Sequence, residues 1–139
     1  MRALITTFFF SITFNILASD LKIEDAKIRL VPPSSTVSAM FLKISNNSSK
    51  DIKLVSVESD LSKVVELHDM IMEEGGMKMR RVESIHLKAK STTELKRGGL
   101  HVMFIDLKNA LKEGSSHKIK LNFDDKSNQM IEAKVQAID

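Results

Sequence analysis

Apolar and polar residues alternate through most of the chain after residue 20. This period of two places successive side chains on opposite faces of a β-strand. Turn-forming residues interrupt the pattern every 8 to 12 positions or so, which is the spacing typical of sandwich folds. The pattern predicts short strands at residues 24–31, 36–44, 52–57, 64–72, 77–82, 85–88, 92–95, 101–107, 117–123 and 130–137. We therefore expect an all-β fold, an antiparallel β-sandwich with Greek-key connections.

The first nineteen residues have a different pattern. They carry one charge, Arg2, and an apolar stretch that ends in the small residues Ala18 and Ser19. The stretch is shorter and more polar than the roughly 20 apolar residues that a bilayer-spanning helix needs. We interpret residues 1–19 as a signal peptide with an approximate cleavage point, and residues 20–139 as a single domain with no stable membrane insertion.

Composition excludes several classes of function. Without residues 1–19, Lys and Arg fall from 21 to 20 against 18 Asp and Glu, a net charge of +2 that is spread along the chain. Trp and Tyr are absent, so the usual base-stacking residues are missing and nucleic-acid binding is not expected. The chain contains no cysteine, which excludes disulfides and a blue-copper site.

Residues 64–82 predict a β-hairpin. The Glu-Glu-Gly-Gly sequence at 73–76 predicts its turn, because glycine accepts the positive φ of tight hairpins. With this turn, Met72 faces Met77 and Met70 faces Met79. His68 then lies diagonal to Met79, at roughly 7–8 Å.

A second pair of metal-binding side chains lies on the strand at 101–107. His101 and Met103 are two positions apart and therefore project from the same face. Together with the hairpin, they complete a series in which His68, Met79, His101 and Met103 are separated by ten, twenty-one and one residues. Thioether and imidazole ligands without a carboxylate suit a soft cation such as Cu(I). We predict that these four residues form one copper site.

Other residues near the series have alternative interpretations. Met70, Met72 and Met77 share the predicted ligand face and could be rim residues, alternate ligands or hydrophobic cover; Met77 is the most credible substitute for Met79. Asp69 could orient a histidine.

Further methionines and histidines are assigned structural roles. Met40 and Met130 are expected in the core, and His86 and His117 are expected to be solvated. With no Cys and no Ser in a nucleophile-elbow setting, we do not expect an enzyme.

With these positions set out, the sequence resembles the PCu(A)C family of periplasmic copper chaperones. The resemblance covers roughly residues 20–137 and includes the spacing His-x10-Met-x21-His-x-Met. It is carried by the local strings VELH at 65–68, GMKMR at 76–80, HVM at 101–103 and LKNALKEG at 107–114. The chain departs from the family at Arg81 and Arg97, where proline is common, and at Leu100, where tyrosine often precedes the histidine.

The resemblance implies a cupredoxin-like sandwich that binds one Cu(I) per chain through His68, Met79, His101 and Met103. It also implies a periplasmic monomer that delivers copper to an acceptor such as cytochrome c oxidase subunit II, with its binuclear copper centre, or a thiol copper carrier. The alternative is a non-catalytic interaction module whose Met-rich face binds a protein partner.

The two histidines of the series also predict a pH dependence. Histidines ordinarily titrate near pH 6.5 or so, so copper binding should weaken in mildly acidic medium.

Overall fold

A computed structural model describes residues 19–139 of the chain. The predicted signal peptide lies outside these residues, apart from Ser19. The described part forms ten strands: β1 (Leu21–Arg29), β2 (Val37–Asn46), β3 (Ile52–Ser59), β4 (Ser62–Glu73), β5 (Gly76–Val82), β6 (Ile85–Leu87), β7 (Ser91–Leu95), β8 (His101–Leu107), β9 (Ser116–Phe123) and β10 (Asn128–Gln136). Each predicted strand is present, with ends that differ by a few residues.

The strands form one hydrogen-bonded sheet that folds back on itself. Its order is β5-β4-β8-β2-β1-β10-β9-β3-β6, and β7 pairs with β2 outside this path. The first half of β2 pairs with β8 and its second half with β7, so β2 links these two strands. Many neighbours in the sheet are distant in sequence, as Greek-key connections require. The all-β sandwich prediction is confirmed, with one difference: β1 and β10 pair in parallel, whereas an antiparallel arrangement was expected.

The core follows from the period of two. In β2, Met40, Leu42 and Ile44 are buried at alternate positions, and Ile119, Leu121 and Phe123 repeat the pattern in β9. Phe104 of β8 and Ile28 of β1 are also fully buried. The residues that separate these positions point to the outer surface, which is where the candidate site forms.

The methionine predictions have opposite outcomes. Met40 is fully buried, as predicted, whereas Met130 is 61% exposed and its core assignment is wrong. On β10 the buried positions are Ala133 and Val135, so alternation turns Met130 outward together with Glu132.

Two connecting segments complete the description. Residues 32–35, which include the two prolines, form a turn closed by the Ser35 amide donating to the Pro32 carbonyl at 2.9 Å. Residues 108–115, between β8 and β9, contain no helical turn. Among the residues that the structure describes, no helix is long and apolar enough to cross a membrane.

Candidate metal-binding site

The β4–β5 hairpin has the predicted register. Met72 pairs with Met77 and Met70 with Met79, so the methionine face is assembled as the sequence indicated. The turn is tighter than the predicted four residues, because Glu73 already pairs with Gly76. Gly75 and Gly76 both have positive φ values, 99° and 119°, which explains why glycines occupy this turn.

The two histidines lie directly opposite each other on neighbouring strands. β4 pairs antiparallel with β8, and His68 of β4 is the partner of His101 of β8. Their ring centroids are 5.8 Å apart. Directly opposite residues in a ladder share a face, so both imidazoles project from the outer surface of this part of the sheet.

Met79 and Met103 lie on the two strands that flank β4, and each is diagonal to His68 in the opposite direction along the strand. Met79 is paired with Met70 on one side, and Met103 is paired with Glu66 on the other. In a flat sheet their Cα atoms would be about 16 Å apart, two strand spacings across and four residues along. However, Met79, His101 and Met103 all line one groove of about 330 Å³. Three of the four predicted ligands therefore border the same groove, and His68 is not among its lining residues in the described part of the chain.

Glu66 holds the His68 ring. His68 Nε2 lies 2.7 Å from Glu66 Oε2, and residues two apart on a strand share a face. A carboxylate is an acceptor only, so neutral His68 donates its Nε2 proton to it. His68 Nδ1 is then an unprotonated nitrogen, and it is buried without a hydrogen-bond partner among the described residues. Arg81 Nη1 lies 3.7 Å from the other oxygen of Glu66.

His101 is held by a main-chain group. Its Nδ1 donates to the Gly99 carbonyl over 2.8 Å, which leaves Nε2 with a lone pair for a metal. Phe41 of β2 covers the other side, with ring centroids 6.3 Å apart. His101 is only 5% exposed, so its orientation is fixed by packing as well as by the hydrogen bond.

The residue that orients a histidine is therefore Glu66, and the sequence prediction for Asp69 is wrong. Asp69 pairs across the ladder with Arg80 and accepts a 2.8 Å hydrogen bond from the Met70 amide. Because Asp69 is one residue from His68, the strand turns it to the opposite face. The i, i+2 spacing of Glu66 and His68 was the signal in the sequence that pointed to the true partner.

The remaining methionines surround the groove to different extents. Met70 lines it together with Met79. Met72 is 74% exposed and Met77 47% exposed, at the tip of the hairpin. His86 is exposed, as predicted, with Nε2 3.0 Å from Asp51. His117 is half-buried and not fully solvated, with Nε2 3.1 Å from Ser115 Oγ.

The donor set of the site is soft and neutral. Within residues 19–139, no group of three or more His, Cys, Asp or Glu side chains is arranged to hold a metal ion. Nitrogen and sulfur donors are instead offered by the two imidazoles and by the thioethers of Met79 and Met103, which line one groove together with His101. Such donors fit Cu(I) better than ions that prefer thiolate or carboxylate.

Comparison with known proteins shows which family the chain belongs to. The model of the LpqE-like lipoprotein family matches residues 21–135. The chain is 31% identical over 99 residues to RP573 of Rickettsia prowazekii (strain Madrid E), an uncharacterised protein; the match covers 70% of this chain and 55% of that protein. The chain thus spans about half the length of this relative.

Two solved structures have a similar fold. The copper-bound PCuAC domain from PmoF2 superposes with a TM-score of 0.73 at 22% identity, covering 86% of this chain and 95% of the domain. The Cu(I) form of DR1885 from Deinococcus radiodurans gives a TM-score of 0.63 at 33% identity, covering 82% of this chain and 76% of that protein. The chain therefore belongs to the LpqE-like family and has the fold of PCuAC domains, which confirms the resemblance that its motifs indicated.

Proposed function

We propose that this chain is a copper chaperone that binds one Cu(I) ion through His68, Met79, His101 and Met103 and passes it to another protein. The observation that carries the proposal is the His68–His101 pair, in which each ring has one nitrogen anchored and the other available. A buried ring nitrogen without a partner is costly, and a bound metal ion would satisfy it.

The ligand chemistry favours a carrier over a catalyst. Two thioethers and two neutral imidazoles leave the bound ion with its single positive charge, and they select by softness. Neutral ligands can also be replaced one at a time, so copper can leave by stepwise exchange with an acceptor that offers thiolates. Met79 is 46% exposed and is the ligand that an acceptor would meet first.

The relatives support copper as the cargo. The DR1885 structure contains Cu(I), and the PmoF2 domain is described as copper-bound. The lipoprotein description of the family supports export, and we place the protein in the periplasm after removal of residues 1–19. There it would act as a monomer and supply cytochrome c oxidase subunit II or a thiol copper carrier.

Cu(I) titration against a competing chelator of known affinity tests the ligand set. Loss of a group that merely orients a metal ligand costs about 10–100-fold in affinity, so His101→Ala combined with Met103→Ala should cost more than about 100-fold. Met130→Ala is the matched control, because Met130 is an exposed methionine on β10. Equal affinities of the parent and the double variant would exclude this ligand set.

Two further measurements address the cargo itself. X-ray absorption on the Cu(I)-loaded protein should give about two sulfur and two nitrogen neighbours. Cu(I) should also raise the melting temperature, since a ligand that binds only the folded state stabilises it. An unchanged melting temperature would favour the alternative, in which the exposed Met72 and Met77 contact a protein partner without metal.

A further inference from the structure

The groove beside the proposed ligands carries positive charge that copper binding does not require. Arg29 at the end of β1 and Arg97 before β8 both line it, together with Met79, His101 and Met103. Both arginines are exposed. No Asp or Glu lines the groove, and neither arginine forms an ion pair with another described residue.

The groove is also the way to the buried part of the site. His101 is only 5% exposed, and it is one of the residues that line the groove. Val31, Val37 and Phe41 form an apolar wall opposite the hairpin. The volume of about 330 Å³ is at the lower end of the roughly 300–1,000 Å³ of ligand pockets. It would accommodate a few side chains.

We propose that this groove is the docking site for an extended, acidic segment of the copper-accepting protein. The segment would place apolar side chains against the wall and carboxylates beside Arg29 and Arg97, with its copper ligands next to Met79. This inference rests on the proposed function. A bound Cu(I) ion with neutral ligands would add a positive charge beside the two arginines, so a negatively charged acceptor is favoured further.

Matched synthetic peptides test the docking without copper. One peptide carries aspartates on both sides of an apolar pair, the second carries asparagines in their place, and serine replaces any cysteine. Fluorescence anisotropy with the metal-free full chain should show about 3–10-fold tighter binding of the acidic peptide, which is the range expected for two exposed charge pairs. The preference should shrink as salt is raised from about 0.02 to 0.5 M, because the Debye length shortens.

Variants locate the interaction. Arg29→Gln combined with Arg97→Gln should remove the preference for the acidic peptide. Lys112→Gln combined with Lys118→Gln is the matched control: it also removes two positive charges, but from residues that line a different cavity. Equal or undetectable binding of the two peptides to the parent would overturn the proposal, as would a preference that survives in the double arginine variant.

A transfer measurement with the Cu(I)-loaded protein distinguishes failure of this proposal from failure of the proposed function. The cysteine-containing acidic peptide should remove Cu(I) from the parent faster than its asparagine counterpart does. The two peptides should remove Cu(I) from the double arginine variant at similar rates, while the variant still binds Cu(I). Failure of the chain to bind Cu(I) would overturn the proposed function and leave the metal-free measurement to decide on docking. Copper binding with equal transfer rates to both peptides would overturn the docking proposal alone.

Discussion

At the scale of single residues, the site depends on side chains that were not in the series of candidate ligands. Glu66 fixes which nitrogen of His68 carries the proton, and the Gly99 carbonyl does the same for His101. Under the proposed ligand set, the two histidines would bind the metal through different atoms, Nδ1 of His68 and Nε2 of His101. Because these partners already hold the two rings, copper binding would have less ring rotation left to restrict.

Glu66→Gln should weaken Cu(I) binding by about 10–100-fold, because the neutral amide oxygen is a poorer acceptor for the Nε2 proton of His68. The NH₂ group of the glutamine can also donate to His68 Nε2, in competition with the arrangement in which Nε2 carries the proton. Chelator competition measures the affinity, and nitrogen NMR of His68 reports the tautomer. Glu94→Gln provides the control, since Glu94 is an exposed residue of β7. Unchanged affinity and tautomer in Glu66→Gln would contradict a positioning role.

At the scale of elements, the β4–β5 hairpin brings Met79 into the site. β5 pairs only with β4 among the described strands, so the conformation of the connecting turn controls where Met79 lies. Gly75 has a φ of +99° and open space around the position of a Cβ atom. A side chain there would be opposed by backbone strain and not by a clash.

Gly75→Ala should destabilise the fold by about 1–2 kcal/mol, the cost of forcing an L-residue into this region, and should weaken Cu(I) binding. Gly114→Ala is the matched control: Gly114 also has a positive φ, +81°, and open space, but it lies in the connection before β9. It should lose similar stability and keep its copper affinity. Urea unfolding and chelator titration measure the two effects; equal copper affinities would show that the turn does not position Met79.

The elements were predictable from the sequence to the extent that they depend on local patterns. Alternation located the strands, and the glycines of the turn set the pairing of Met70 with Met79. The β4–β8 ladder was not predictable in this way, because it joins strands separated by three others in the chain. The sequence indicated the candidate ligands as two separate pairs, and the ladder places the histidine of one pair, His68, opposite the histidine of the other, His101.

The side-chain errors have a local cause. Met130 alternates with Ile131 and shares its face with Glu132 and Lys134, so the period of two already indicated that it is exposed. Asp69 is adjacent to His68 in sequence, but adjacency on a strand means opposite faces. In both cases residue type was given more weight than position on the strand.

At the scale of the whole molecule, stability depends on contacts far from the site. Asp51, just before β3, accepts hydrogen bonds from the Ala89 amide at 2.8 Å and from His86 at 3.0 Å. It thereby joins the start of β3 to the β6–β7 connection. The Ala89 hydrogen bond, followed by the one from His86, lowers the pKa of the Asp51 carboxyl below its ordinary value.

This lowered pKa gives a pH dependence with a definite sign. A carboxyl whose pKa is lower in the folded state stabilises the fold above its unfolded pKa, and the contribution is lost as pH falls through the folded pKa. Asp51→Asn should therefore be less stable than the parent near pH 7, and the difference should shrink below about pH 4, the ordinary range for Asp. Urea unfolding at several pH values checks this; a difference that is constant with pH would contradict it.

The position of β5 at the edge of the sheet would affect how long the proposed Cu(I) ion stays bound. An edge strand with every residue but Val82 exposed can separate from β4 at a smaller free-energy cost than the interior strand β8 can separate from its neighbours. Opening of β5 would remove Met79, one of the four proposed ligands, and leave His68, His101 and Met103 in place. The residence time of the ion would then be set by local fraying of the hairpin, and Cu(I) should slow amide hydrogen exchange in β5 more than in β8. Equal slowing in the two strands would indicate that release requires a larger part of the sheet to open.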